Sequence, residues 1–114
     1  MGFKFPGARV DPAQWSIKEW KQVATLYTVR DILVCPTPCF LISVFMQGDS
    51  SDDGTFQLIN GHNVNGEVKY VPRTPPQSSL FIDFSVPVYF SRGMFLDMIN
   101  KVDSVTVQYL PWSP

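Results

Sequence analysis

Cys39-Phe-Leu-Ile-Ser-Val-Phe-Met46 is the stretch that decides the fold class of this chain. Phe40, Ile42, Val44 and Met46 alternate with Leu41, Ser43 and Phe45, the period of two that a strand imposes on its side chains. Both sets are largely apolar, so a strand covered on both sides is expected. The run is broken by Ser43 and falls far short of the ~20 residues that a membrane helix requires. C-terminal to it, Gly48-Asp-Ser-Ser-Asp-Asp-Gly54 has the composition of a turn. Thr55 to Ile59 reads as the next strand, and Asn60 to Gly66 as a second turn. Glu67 to Val71 alternates again, and Pro72 to Ser79, with Pro75-Pro76, reads as a loop. Leu80, Ile82, Phe84, Val86, Val88 and Phe90 keep an alternation across Pro87, which places that proline at a sheet edge or a bulge. Arg92-Gly93 turns into Met94 to Ile99, and Val105, Val107 and Tyr109 alternate with Thr106 and Gln108. Short strands at close spacing with turn signals between them indicate an antiparallel β-sandwich or jelly roll, a single all-β domain.

N-terminal to the run the reading changes. Met1 to Val10 holds Gly2, Pro6 and Gly7 and reads as an extended arm. Asp11-Pro12-Ala13-Gln14 has the form of a helix start, with Asp11 as N-cap and Pro12 at the first helical position. A short helix over 12–22 is therefore expected, with β-branched residues after it that favour a strand. The organisation that follows is an arm over 1–28 with a short helix and a sandwich over 29–114.

Length and composition set the outer bounds. A 12.9 kDa chain should expose roughly 6,300 Å² folded against roughly 18,700 Å² unfolded, enough for one domain with a core of its own. Charged residues are 17% and hydrophobic residues 45%, which separates the chain from disordered sequences. The formal net charge is -1, too small for a field that recruits nucleic acid or an anionic membrane. Low charge with 14% aromatic residues is also the composition of a protomer whose surface faces partners. Met1 to Pro6 lacks the apolar core of a signal peptide, so a soluble protein made in the cytoplasm is expected.

Chemistry-bearing residues are few. His62 lies between Gly61 and Asn63 in a polar turn, where acid-base work would need a neighbouring carboxylate or nucleophile. No nucleophile elbow, phosphate loop or zinc-protease motif is present, so an enzyme is not expected and no cofactor is implied. Asp49, Asp52 and Asp53 form an oxygen-rich cluster whose spacing does not fit an EF-hand, which leaves them a weak metal candidate beside a solvated turn. Cys35 and Cys39 bracket Pro36-Thr37-Pro38; free thiols at a strand-turn-strand junction are expected, with a disulfide as the alternative. The first thirty residues carry a net +3 and the remainder a net -4, so the basic, aromatic N-terminal part suits docking onto a partner better than nucleic acid.

Four segments together carry a resemblance: Val29-Arg-Asp-Ile-Leu-Val-Cys-Pro-Thr-Pro-Cys-Phe-Leu-Ile-Ser-Val44, Gly54-Thr-Phe-Gln-Leu-Ile-Asn-Gly61, Val86-Pro-Val-Tyr-Phe-Ser-Arg-Gly-Met-Phe-Leu96 and Ser104-Val-Thr-Val-Gln-Tyr109. In order they resemble small β-sandwich virion structural proteins of tailed bacteriophages, over residues 29 to 110. Leu58-Ile59-Asn60-Gly61 departs from the aromatic-acid pair usual before that glycine, and residues 1 to 28 match no known pattern. The resemblance implies a non-enzymatic role in the virion as a capsid decoration or cement protein, with a neck, tail or head-fibre component as the alternative. It also implies a homo-oligomer, a trimer before other states, bound to the major capsid protein or another virion protein, with neither nucleic acid nor membrane as partner. Trp15, Trp20, Tyr27 and Trp112 are the natural anchors for such contacts, because aromatic side chains dominate interface energetics. Exposed aromatics on a sandwich also suit a carbohydrate- or receptor-binding module, the second class of function to weigh.

Overall fold

The computed structural model of the chain describes residues 22–49 and 51–112. The strands are β1 (Ala24–Thr28), β2 (Ile32–Cys35), β3 (Cys39–Gly48), β4 (Gly54–Asn60), β5 (Glu67–Tyr70), β6 (Arg73–Thr74), β7 (Ser79–Phe90), β8 (Met94–Asn100) and β9 (Val102–Pro111). They form two antiparallel sheets, here sheet A in the order β1-β9-β3-β7 and sheet B in the order β2-β8-β4-β5, with β6 paired to β4. The all-β expectation holds for every described element, and none of them is a helix. The helix expected over 12–22 lies outside the described residues but for Gln22.

Side chains from both sheets meet between them. Cys39, Leu41, Val44, Met46, Val105 and Val107 from sheet A face Phe56, Leu58, Met94 and Leu96 from sheet B, all fully buried. The Tyr70 and Phe84 rings meet edge to face across the layers with centroids 5.4 Å apart.

Strict alternation in β3 is not observed. The register against both neighbours shifts between Leu41 and Ser43: against β9, Ile42 is one extra residue on β3, whereas against β7 the partners jump from Val88 to Asp83 and the extra residues lie on β7. Cys39 and Leu41 share the core with Val44 and Met46, whereas Phe40 and Ile42 belong to a separate outer cluster with Leu110. The same irregularity spreads residues 84–87 of β7, leaves Val86 exposed and accommodates Pro87, which sits on an edge strand opposite the bulge, as its missing N–H requires.

Two boundaries also differ from expectation. Ala24–Thr28, drawn within the arm, is strand β1 of sheet A, paired from Ala24 with Tyr109 to Thr28 with Val105. Leu110 and Pro111, beyond the alternation read from Val105 to Tyr109, continue β9, where Cys39 pairs with Pro111 and the Trp112 N–H donates to the Pro38 carbonyl at 2.8 Å.

Candidate interaction surface

Register aligns the outward side chains of sheet A into rows. Tyr27 pairs with Thr106, Thr106 with Phe45, and Phe45 with Phe81, so one row crosses all four strands with three aromatics in it. Tyr27, Phe45 and Phe81 are 66%, 38% and 62% exposed. With strands ~4.8 Å apart, the row spans roughly 14 Å. The next row, Thr25, Gln108, Ser43 and Asp83, is polar, and within it the Ser43 hydroxyl donates to Gln108 Oε1 at 2.8 Å. On the other side lie Ser104, Gln47 and Ser79.

Beyond the first polar row the face turns apolar again. Phe40, Ile42 and Leu110 are buried, with Val23, Tyr89 and Trp112 packed against them. Phe40 and Tyr89 rings lie 5.0 Å apart, and Tyr89 meets Trp112 edge to face at 6.0 Å. Of the four anchors expected from sequence, Tyr27 and Trp112 therefore lie on one face of sheet A, at opposite sides of its polar row. Trp15 and Trp20 lie outside the described residues. Phe45 and Phe81 were not singled out by the sequence, since nothing local distinguishes an outward aromatic on a strand from an inward one.

One end of the sandwich gathers three turns. Asn60 Oδ1 accepts the Arg92 N–H at 2.8 Å and its amide donates to Ser91 Oγ at 3.1 Å. His62 Nε2 donates to the Pro36 carbonyl at 2.7 Å, which requires its proton on that nitrogen, since a carbonyl only accepts. Gly93 adopts φ 118°, and a Cβ there would sit 2.6 Å from the Cys35 carbonyl oxygen, so glycine is required where these turns close on one another. An open cleft of about 490 Å³ lies among Gly61, His62, Asn63, Asn65, Gly66 and Arg92. Among the described residues, its lining holds no carboxylate and no nucleophile beside His62. The Asn60→Ala variant removes both side-chain bonds from a buried position and is expected to cost about 1–3 kcal/mol, read as a lower urea midpoint at unchanged slope.

The aspartates of the 49–53 turn are occupied locally. Asp49 Oδ1 accepts from the Ser51 N–H and hydroxyl, both at 2.8 Å, and Asp52 Oδ1 accepts from the Asp53 N–H at 2.8 Å. Among the described residues no three His, Cys, Asp or Glu side chains converge on a point that could hold a metal ion.

Cys35 and Cys39 are both buried and free. Interaction with the Cys39 thiol lowers the Cys35 pKa to about 6, against the opposing effect of burial and with further help from Thr37. The same interaction, burial and the Cys35 charge push Cys39 well above the ordinary thiol range.

No protein-family model, no curated protein and no solved structure matches this chain.

Proposed function

We propose that this chain is a non-enzymatic virion structural protein of the capsid decoration or cement kind, attached to a shell protein through the outer face of sheet A. The observation that supports this reading is the exposed row Tyr27, Thr106, Phe45 and Phe81. Aromatics set among polar rows are the arrangement of an interface core and its rim. The face measures roughly 600 Å² in plan, from four strands ~4.8 Å apart and ten residues at ~3.3 Å each. A stable interface takes about 800 Å² per partner, so further chain contributes, and the basic, aromatic segment N-terminal to β1 is the natural source. The protein acts as a homo-oligomer, a trimer before other states, with the major capsid protein or another virion protein as its partner.

The test mixes the full-length protein with undecorated capsids and measures co-sedimentation, with solution mass by light scattering. Saturable binding by an oligomer is expected; a monomer that ignores capsids overturns the reading. A deletion that probes the arm must stop before Val23, because removing 1–28 would strip β1 from sheet A and expose β9.

A second reading has one observation in its favour. A flat aromatic row flanked on both sides by hydroxyl and amide side chains offers stacking and hydrogen bonding to a glycan, and binding on a glycan array with no capsid binding would select it.

A further inference from the structure

The hairpin from β4 to β5 contains two Asn-Gly steps, Asn60-Gly61 and Asn65-Gly66. Asparagine is among the chemically labile residues, and a following glycine, having no side chain, leaves its own backbone nitrogen unshielded. The fold treats the two steps differently.

Asn60 is buried and held at both ends of its side chain. Its Oδ1 accepts the Arg92 N–H at 2.8 Å and its Nδ2 donates to Ser91 Oγ at 3.1 Å. Gly61 after it is buried too, and its N–H donates to the Gly93 carbonyl at 3.2 Å. Asn65 is exposed. Its backbone N–H donates to Asn63 Oδ1 at 2.9 Å, but its side-chain amide makes no hydrogen bond among the described residues. The Gly66 N–H reaches the Asn63 carbonyl at 3.4 Å, beyond the usual range for such a bond. Glycine is nevertheless fixed at 66, since a Cβ there would collide with the Asn60 carbonyl oxygen and lie 2.8 Å from Ile59 Cγ2. The third asparagine of the turn, Asn63, has its Oδ1 engaged by Asn65 and is followed by Val64, whose branched side chain screens the nitrogen behind it.

We propose that Asn65 is a site of spontaneous deamidation through a succinimide formed with Gly66, and that the fold protects Asn60 in the other Asn-Gly step of the same hairpin.

The reaction needs only water and hydroxide. The Gly66 backbone nitrogen gives its proton to hydroxide and attacks Asn65 Cγ. The new N–C bond closes the succinimide ring, the Cγ–Nδ2 bond breaks, and Nδ2 leaves as ammonia with a proton from water. Water then opens the ring at either carbonyl, which gives aspartate or isoaspartate. Overall one water is consumed and one ammonia released, a carboxyl group replaces the amide, and nothing is oxidised or reduced. At Asn65 no side-chain bond has to break before the ring can close, whereas Asn60 must first lose its bonds to Ser91 and Arg92. The product puts a carboxylate into the cleft lined by His62 and Arg92, whose lining holds none among the described residues.

The test incubates the full-length protein at mildly alkaline pH, folded and, in parallel, in urea. In the folded protein, isoelectric focusing should show a species with one more negative charge. Peptide mapping should place aspartate and isoaspartate at 65, with ammonia released in equal amount and a rate that rises with hydroxide. Asn60 should convert at least about tenfold more slowly than Asn65 while the protein is folded, because it reacts only through local opening; in urea the two should convert at similar rates. Asn65→Gln should give no acidic species on that timescale, since glutamine would have to close a larger ring, and Asn65→Asp should focus with the acidic species. An Asn65 that persists in the folded protein but converts in urea, equal conversion of Asn60 and Asn65 in the folded protein, or conversion of Asn63 before Asn65 would overturn the proposal. The residues concerned belong to a hairpin of sheet B and not to the outer face of sheet A, so this proposal and capsid attachment stand or fall separately.

Discussion

Phe45→Thr combined with Phe81→Lys is expected to abolish capsid binding while leaving the fold intact. Interface aromatics that act as hot spots contribute 2 kcal/mol or more each on truncation, so either change alone should weaken binding about 30-fold. The two side chains are direct cross-strand neighbours, so their losses couple and the double variant need not equal the sum. The replacements suit the sheet. Threonine is a good strand former and would face Thr106, and lysine is a residue that natural edge strands carry, as β7 is an edge. Because both phenylalanines are already solvent-exposed, the melting temperature should move by no more than a few degrees. Wild-type co-sedimentation by a folded double variant would show that sheet A is not the attachment face. Loss of glycan binding in the same variant, with capsid binding absent in the parent, would assign the row to a carbohydrate.

Phe56→Ala is expected to have the largest effect on stability. Phe56 is fully buried in the inter-sheet core, in β4, opposite Met98 of β8. Truncating a buried phenylalanine costs about 3–5 kcal/mol, from lost transfer energy and from the cavity left behind. A domain of this size is stable by only about 5–15 kcal/mol, so the variant sits near the limit of folding, with a melting temperature lower by roughly 10–20 °C. Calorimetry or thermal circular dichroism measures it, with Ile99→Ala as the comparison: Ile99 is 52% exposed, and its loss should stay within ~0.5 kcal/mol. A cost below ~1 kcal/mol for Phe56→Ala would mean that the two sheets do not close over this side chain.

The strands β3 to β5 and β7 to β9 were legible because their signals are local. Alternation in Val105-Thr-Val-Gln-Tyr109, the glycines and aspartates of 48–54, and the Asn-Gly steps of 60–66 each act within a few residues, through side-chain direction or turn geometry. β1 was less legible, since a good helix start at Asp11-Pro12 competes with the β-branched residues after Gln22 and the strand exists only through its pairing with β9. Two-residue β6 likewise depends on Gly54 and Thr55 of β4 rather than on its own sequence.

Composition and periodicity by themselves therefore determined an all-β chain with a core of its own, the position of most strands, and a proline turn bracketed by two cysteines. The sequence could not place the bulge at 41–43, which turns Phe40 and Ile42 outward and Val44 inward. Nor could it align Tyr27, Phe45 and Phe81 in one row, or fasten the turn between Cys35 and Cys39 through His62 and Trp112. These features come from strand order and register, which join residues as far apart as Ser43 and Gln108. Alternation is a property of each strand alone, whereas register is chosen by the whole sheet, because a one-residue slip exchanges the buried face for the exposed one.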